Sequence, residues 1–257
     1  MIATSEKDLA GMRAAGGVAA QVLSEVAGFI APGMTTRQID EFAGTRILHY
    51  GGKSAFLGYQ KYPCQICISV NEEVVHGLAG ERRVQFGDII SLDVGVVYEG
   101  YIGDNARTVP VGGCDILSQK LIDVTEQALY EGISRAILGN RVVDISRAIQ
   151  THVESNGFSI VREYVGHGVG RTLHEAPQIP NYVDRCGDVK LKKGMTLAIE
   201  PMVNAGVAKT KRLSDGWTVL TQDGMPSAHF EHTVLVTDGE PEILTWPEKM
   251  PSKLKAS

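Results

Sequence analysis

Two aspartates on adjacent predicted strands carry the chemistry. Ser91 to Thr108 reads SLDVGVVYEGYIGDNART. Val94, Val96 and Tyr98 alternate with Asp93, Gly95 and Val97, and Glu99-Gly100 is a turn signal, so the stretch predicts a β-hairpin. Asp93 is expected early on the first strand and Asp104 early on the second, both among apolar or small neighbours. A carboxylate in a half-buried strand costs several kcal/mol unless it is paired or bound to a cation. Two of them side by side repel until one takes a proton. A metal ion removes both penalties.

Further donors follow downstream. His167 stands between glycines in GHGVG, Glu200 in the apolar run AIEP ahead of Pro201, and Glu231 in HFEHT. Any one of these is ordinarily a capped, paired or loop residue. Together they make four carboxylates and one imidazole without basic partners nearby in sequence. That donor chemistry suits Mn²⁺, Fe²⁺, Co²⁺ or Zn²⁺. Four carboxylates exceed the charge of one divalent ion, which implies two bridged metals about 3.5–4 Å apart with an activated water between them.

The elements that must position these groups are legible in outline. Thr4 or Ser5 caps a helix running through KDLAGMRAAGGVAAQVLSEVAGFI. A second helix starts near Thr35-Thr36 and ends at Gly51-Gly52. Strands are expected at AFLGY, at QICISV and at the two aspartate segments. Helices return from Asp115 to Leu138 and from Val142 to Ser155. The last hundred residues read as strand-rich, with Gly166, Gly168 and Gly170 in a loop, then MTLAIEPMV, GWTVLT and AHFEHTVLVT. The tail after Trp246 reads as peripheral.

A weak internal repeat organises the chain. Gly33, Ile39 and Gly51 match Gly139, Ile145 and Gly157 at an offset of 106, and GDIISLD matches GMTLAIE at 107. The repeat makes Asp93 and Glu200 equivalent. It implies one α/β domain over 1–257 whose halves, roughly 1–112 and 113–246, bring their acidic strands to a shared centre.

Composition excludes other classes. The net charge of −5 argues against a nucleic-acid or membrane-surface binder. No apolar run approaches the ~18 residues of a membrane span. The polar start MIATSEKD shows no signal peptide, and four cysteines favour a reducing cytoplasm. Cys64-Gln-Ile-Cys67 reads as a strand whose cysteines face opposite ways, without a second pair, so neither a redox nor a zinc motif is expected. GHGVG lacks the GxxxxGK[ST] context of a phosphate loop.

The ordered set SLDVG…GDNART, GHGVG, AIEPM and HFEHT resembles the type I methionine aminopeptidases over nearly the whole chain. The resemblance implies the pita-bread fold, two related αβ halves around a central antiparallel sheet. It implies removal of N-terminal methionine from nascent polypeptides by attack of a metal-bridging hydroxide on the first peptide bond. It makes Asp93, Asp104, His167, Glu200 and Glu231 the ligands of two divalent ions (Co, Mn, Fe or Zn), with Glu200 also the proton acceptor. His76 in SVNEEVVHG and His174 in GRTLHEAP match the substrate-contacting histidines, and Tyr59, Tyr62, Cys67 and Trp217 the pocket for the methionine side chain. Implied partners are chain N-termini with a small second residue, in transient proximity to the ribosome, met by a monomer. Only 33 positions separate His167 from Glu200, unlike the type II enzymes with their insertion there. Xaa-Pro peptidases usually carry a large domain ahead of the catalytic one. Departures are Phe56 and Leu173 where Cys and Phe are expected, and Gln60-Lys61 where His-Gly is usual. His229 stands where Gln is usual, either beside the metal ligands or as a neutral replacement.

Overall fold

The computed structural model describes residues 1–3, 5–184 and 188–254. Four helices are placed: α1 (Glu6–Phe29), α2 (Thr36–His49), α3 (Ile116–Ile133) and α4 (Val142–Ser155). Ser5 caps α1 by accepting from Asp8 N, and Glu6 and Asp8 put negative charge at the positive end of the helix dipole. Thr4, the alternative cap, lies outside the described residues. Thr35 and Gln38 form a reciprocal capping box on α2, and Asp115 caps α3 through Leu117 N and Ser118 N.

A nine-stranded antiparallel sheet forms the centre. Its main path runs Lys53–Ser54, Ile89–Tyr98, Tyr101–Pro110, Glu231–Leu235, Thr196–Ile199, Gly166–Gly168, Glu175–Ile179. The hairpin from Ile89 to Pro110 turns at Glu99-Gly100, where φ of +48° and +82° gives the turn that matches strand twist. α1 lies on the back of this hairpin. Its buried stripe includes the small residues Ala15, Gly16 and Gly17, and a Cβ at Gly103 would collide with the backbone of Ala15 and Gly16. Glycine there lets helix and strand touch. Strand alternation then sends Asp104, the next residue, to the opposite, front face.

The repeat is visible residue by residue. α2 and α4 are both 14 residues long and start 106 positions apart. Ile39 and Ile145 are both fully buried. The bridges Thr35–Arg83 and Arg141–Lys190 fasten the starts of these two helices alike. Ile89–Leu92 lead into Asp93 as Thr196–Ile199 lead into Glu200. Two large apolar clusters result, one built around α1 and α2, the other around α3 and α4.

Several elements differ from expectation. AFLGY is not a strand: the Ser54 hydroxyl accepts from Phe56 N and Leu57 N, each at 3.0 Å, and folds the chain into a turn that ends in a short 3₁₀ segment, Tyr59–Lys61. QICISV is a strand only from Cys67, because Asp40 Oδ1 takes the N–H groups of Gln65 and Ile66 at 2.8 and 3.0 Å. Asp93 lies mid-strand rather than early. α3 ends at Ile133, five residues before Leu138. GHGVG begins as a strand, not a loop: Gly166 and Gly168 leave room for the backbone oxygens of Ala198 and Ala176, which any Cβ would strike. MTLAIEPMV breaks at Glu200-Pro201, so Glu200 sits just past the strand end. The tail is not peripheral. Met250 is buried over Gly17 of α1, and Glu242 accepts from both Arg13 (2.9 and 2.8 Å) and Lys249 (2.7 Å).

Candidate metal centre

Register brings the donors together. Ala106 pairs with Asp93 on one side and with Glu231 on the other. Residues directly opposite each other share a face, and residues two apart on one strand do as well. Asp93, Asp104 and Glu231 therefore project from the front of the sheet. Further along, Thr233 pairs with Ala198, and Ala198 with His167. The same alternation puts His167 on that face, and Glu200 follows two residues after Ala198. The break at Pro201 does not loosen Glu200, whose carbonyl accepts from the buried Asn181 side chain at 3.0 Å.

Two threonines fix the flanks. Thr233 Oγ1 donates to Asp104 O at 2.7 Å and accepts from Asp104 N at 3.2 Å. Thr108 Oγ1 donates to His229 O at 2.9 Å and accepts from His229 N at 2.8 Å. A hydroxyl thus replaces a ladder step on each side of the Ala106–Glu231 pair.

Asp104, His167 and Glu231 each present a ligand atom within 4.8 Å of the others. His167 Nε2 lies 3.4 Å from Glu200 Oε1 and 3.9 Å from Asp104 Oδ2. These are not ion pairs. Burial pushes His167 down to about 4, so the ring is neutral at pH 7. Its Nδ1 faces Gly168 O at 2.9 Å and donates there, which leaves the Nε2 lone pair toward the carboxylates. Burial, then mutual repulsion, raises Asp93, Glu200 and Glu231 well above the usual carboxylate range, and burial raises Asp104. Asp93 Oδ1, Asp104 Oδ1 and Glu231 Oε1 are buried without a hydrogen-bond partner. Among the described residues, no lysine or arginine lines the pocket. Such a cluster is unfavourable by itself and fits hard or borderline divalent cations.

The cavity in front of the donors, about 200 Å³ and partly open, is also lined by Tyr59, Tyr62, Cys67, His76, His174 and Trp217. All eleven residues given a metal, catalytic or pocket role from the sequence line it, as do the departures Phe56, Gln60, Leu173 and His229 but not Lys61. Tyr59 OH lies 2.7 Å from His174 Nδ1, and the His174 ring meets His167 edge to face at 4.3 Å. Tyr62 donates to Gly77 O at 2.8 Å and meets Trp217 at 5.0 Å. Cys67 pairs directly with Asp93 across the strands. His76 has φ +59° and packs against Tyr164 and Trp217; burial lowers it to about 4. Val75, Tyr164, Val165 and Met202 also line the cavity and were not singled out. Met202 follows the Pro201 break, a signal that one strand ends just before Glu200 and that the next strand also faces the site.

Known proteins resemble this chain in sequence and fold. The profile of metallopeptidase family M24 matches residues 10–238. Methionine aminopeptidase 1 of Bacillus subtilis is 49% identical over 245 residues, covering 95% of this chain and 99% of its own. A methionine aminopeptidase structure from Thermotoga maritima superposes with a TM-score of 0.92 at 46% identity, over 96% of this chain and all of the other. A prolidase from Pyrococcus furiosus, at 21% identity and a TM-score of 0.75, shares the fold over 95% of this chain and 65% of its own. The chain therefore belongs to metallopeptidase family M24, with its pita-bread fold, and within that family to the methionine aminopeptidases.

Proposed function

We propose that this protein removes the N-terminal methionine of nascent polypeptides, and that Asp93, Asp104, His167, Glu200 and Glu231 hold two divalent ions, Co, Mn, Fe or Zn. The observation that carries this reading is the convergence of all five donors on one sheet face, with buried carboxylate oxygens that no protein group satisfies. Bound divalent ions supply Lewis acidity and lower the pKa of water. The chain's residues do the rest. Glu200, beside the neutral His167, accepts the proton of the attacking water. Tyr59 donates to His174 Nδ1 and so leaves Nε2–H to donate to the carbonyl oxygen as negative charge develops. His76 offers a second donor at the other wall. Tyr62, Cys67 and Trp217 accept the methionine side chain, whose soft thioether suits an aromatic and thiol lining. The acidic pocket attracts a free terminal ammonium, and the crowded floor favours a small second residue.

We read the chain as one catalytic domain with halves near 1–112 and 113–246, acting as a cytoplasmic monomer in transient proximity to the ribosome. Among the described residues, no helix is long and apolar enough to cross a membrane.

The test is release of free methionine from a Met-Ala-Ser peptide by chelator-stripped protein, with Mn²⁺, Fe²⁺, Co²⁺ or Zn²⁺ returned singly. Metal-dependent release, with the N-blocked peptide untouched, is expected. Cleavage of an Xaa-Pro peptide instead would move the protein to its prolidase-like neighbours. A second expectation concerns Tyr59. Tyr59→Phe should lower kcat about tenfold, the usual scale for an orienting partner, with metal affinity unchanged in a chelator competition. Unchanged kcat would remove Tyr59 from the orientation of His174.

A further inference from the structure

Glu200 sits between two imidazoles. Its Oε1 lies 3.4 Å from His167 Nε2, and its Oε2 lies 3.5 Å from His229 Nε2. His229 is 2% exposed, and its Nε2 is buried without any hydrogen-bond partner. A buried polar atom left unmatched costs free energy, and the cost is larger in a low-dielectric interior. The ring is not free to turn away. Its backbone is fastened on both sides, by the Thr108 hydroxyl and by pairing with Met202. The Thr108–His229 clamp mirrors the Thr233–Asp104 clamp across the Ala106–Glu231 pair, so His229 enters the cavity at the place that corresponds to Asp104.

We propose that His229 is a positioning residue: its Nε2–H holds the outer oxygen of Glu200 and thereby turns the inner oxygen toward His167 and the metal. The proposal rests on the assignment of Glu200 as a ligand. One feature favours a donor over a further ligand. Oε1 faces His167 and Oε2 faces His229, so the two imidazoles meet different oxygens of the carboxylate and the His229 side is the one turned away from His167. An outer partner of this kind fixes a carboxylate rotamer and typically changes metal affinity 10–100-fold when lost.

The experiment titrates Mn²⁺ into chelator-stripped wild type, His229→Gln, His229→Leu and Glu200→Gln, with affinity read by competition against a chromophoric chelator. His229→Gln keeps an N–H of similar reach and should bind within about threefold of wild type, whereas His229→Leu should bind at least about tenfold more weakly. Equal affinity of the Leu variant and wild type overturns the proposal. In parallel, ¹⁵N-histidine-labelled wild type is saturated with Zn²⁺. His229 Nε2 should keep its bonded proton, and its loss on metal binding would make His229 a ligand and overturn the positioning role. This arm needs no variant to fold. If Glu200→Gln itself binds Mn²⁺ like wild type, the ligand assignment beneath the proposal fails. If Glu200→Gln weakens binding while His229→Leu does not, the positioning role alone falls.

Discussion

Asp104→Asn should lower methionine release by a factor of about 10³ or more and leave the metal-free protein as stable as the parent or more so. The two effects have one cause. Asp104 is 3% exposed, and its Oδ1 has no partner. Its carboxylate contributes charge to a cluster that already holds three other acids, and burial raises its pKa. Removing a buried like charge relieves repulsion, as replacement of buried ions often does. Asn is isosteric with the protonated acid. The strand does not depend on the side chain, because Thr233 holds the Asp104 backbone from both sides. What is lost is affinity for the cation, and with it the chemistry the cation supplies. A ligand at 100 times its Kd stabilises a fold by about 2.7 kcal/mol. Calorimetry with and without EDTA should therefore show a metal-dependent rise in Tm for the parent that is missing in the variant. A large fall in Tm of the metal-free variant would mean that the carboxylate is structural.

Ala106→Leu should abolish metal binding without unfolding the sheet. Ala106 is opposite Asp93 on one neighbour and opposite Glu231 on the other. Directly opposed Cβ atoms lie about 4.5–5.5 Å apart. A leucine side chain would stand between two of the donors, in the space a cation must share. Overpacking of this size costs about 1–3 kcal/mol, within the reserve of about 5–15 kcal/mol of an ordinary domain. The expected result is a cooperative melt a few degrees lower, with Mn²⁺ affinity down at least about a hundredfold in the chelator competition. Retained affinity would show that the donors converge away from Ala106.

The parts of this site that the sequence made legible are those set by alternation. Asp93, Asp104 and Glu231 stand at positions whose neighbours are apolar or small, and a period of two is enough to point them one way. The helices were legible because their caps are written in single residues, Ser5, Thr35 and Asp115. What misled were side chains that take over backbone partners. The Ser54 hydroxyl turned an apolar run into a loop, and Asp40, 25 positions away in sequence, took the N–H of Gln65 that would have begun a strand. Local propensity cannot see such partners. GHGVG reads as a loop by glycine content, but its glycines answer to strands that pass too close for a Cβ. Of the two places the sequence allowed His229, the structure takes the one beside Glu200: two residues before Glu231 on one extended segment, His229 faces the same way.

The shared alternation has a consequence for how the site can fail. The strand-borne donors are aimed by the same odd–even count running across Asp93, Ala106, Glu231, Thr233, Ala198 and His167. A single inserted or deleted residue in one of these strands would invert the direction of its donor while leaving its hydrogen bonds available. The proposed metal centre is thus a parity check on the sheet. Point substitutions in the core are graded in their effect, but a one-residue slip is read as all or nothing, and a chain with such a slip can look folded by every measure except its affinity for the ion.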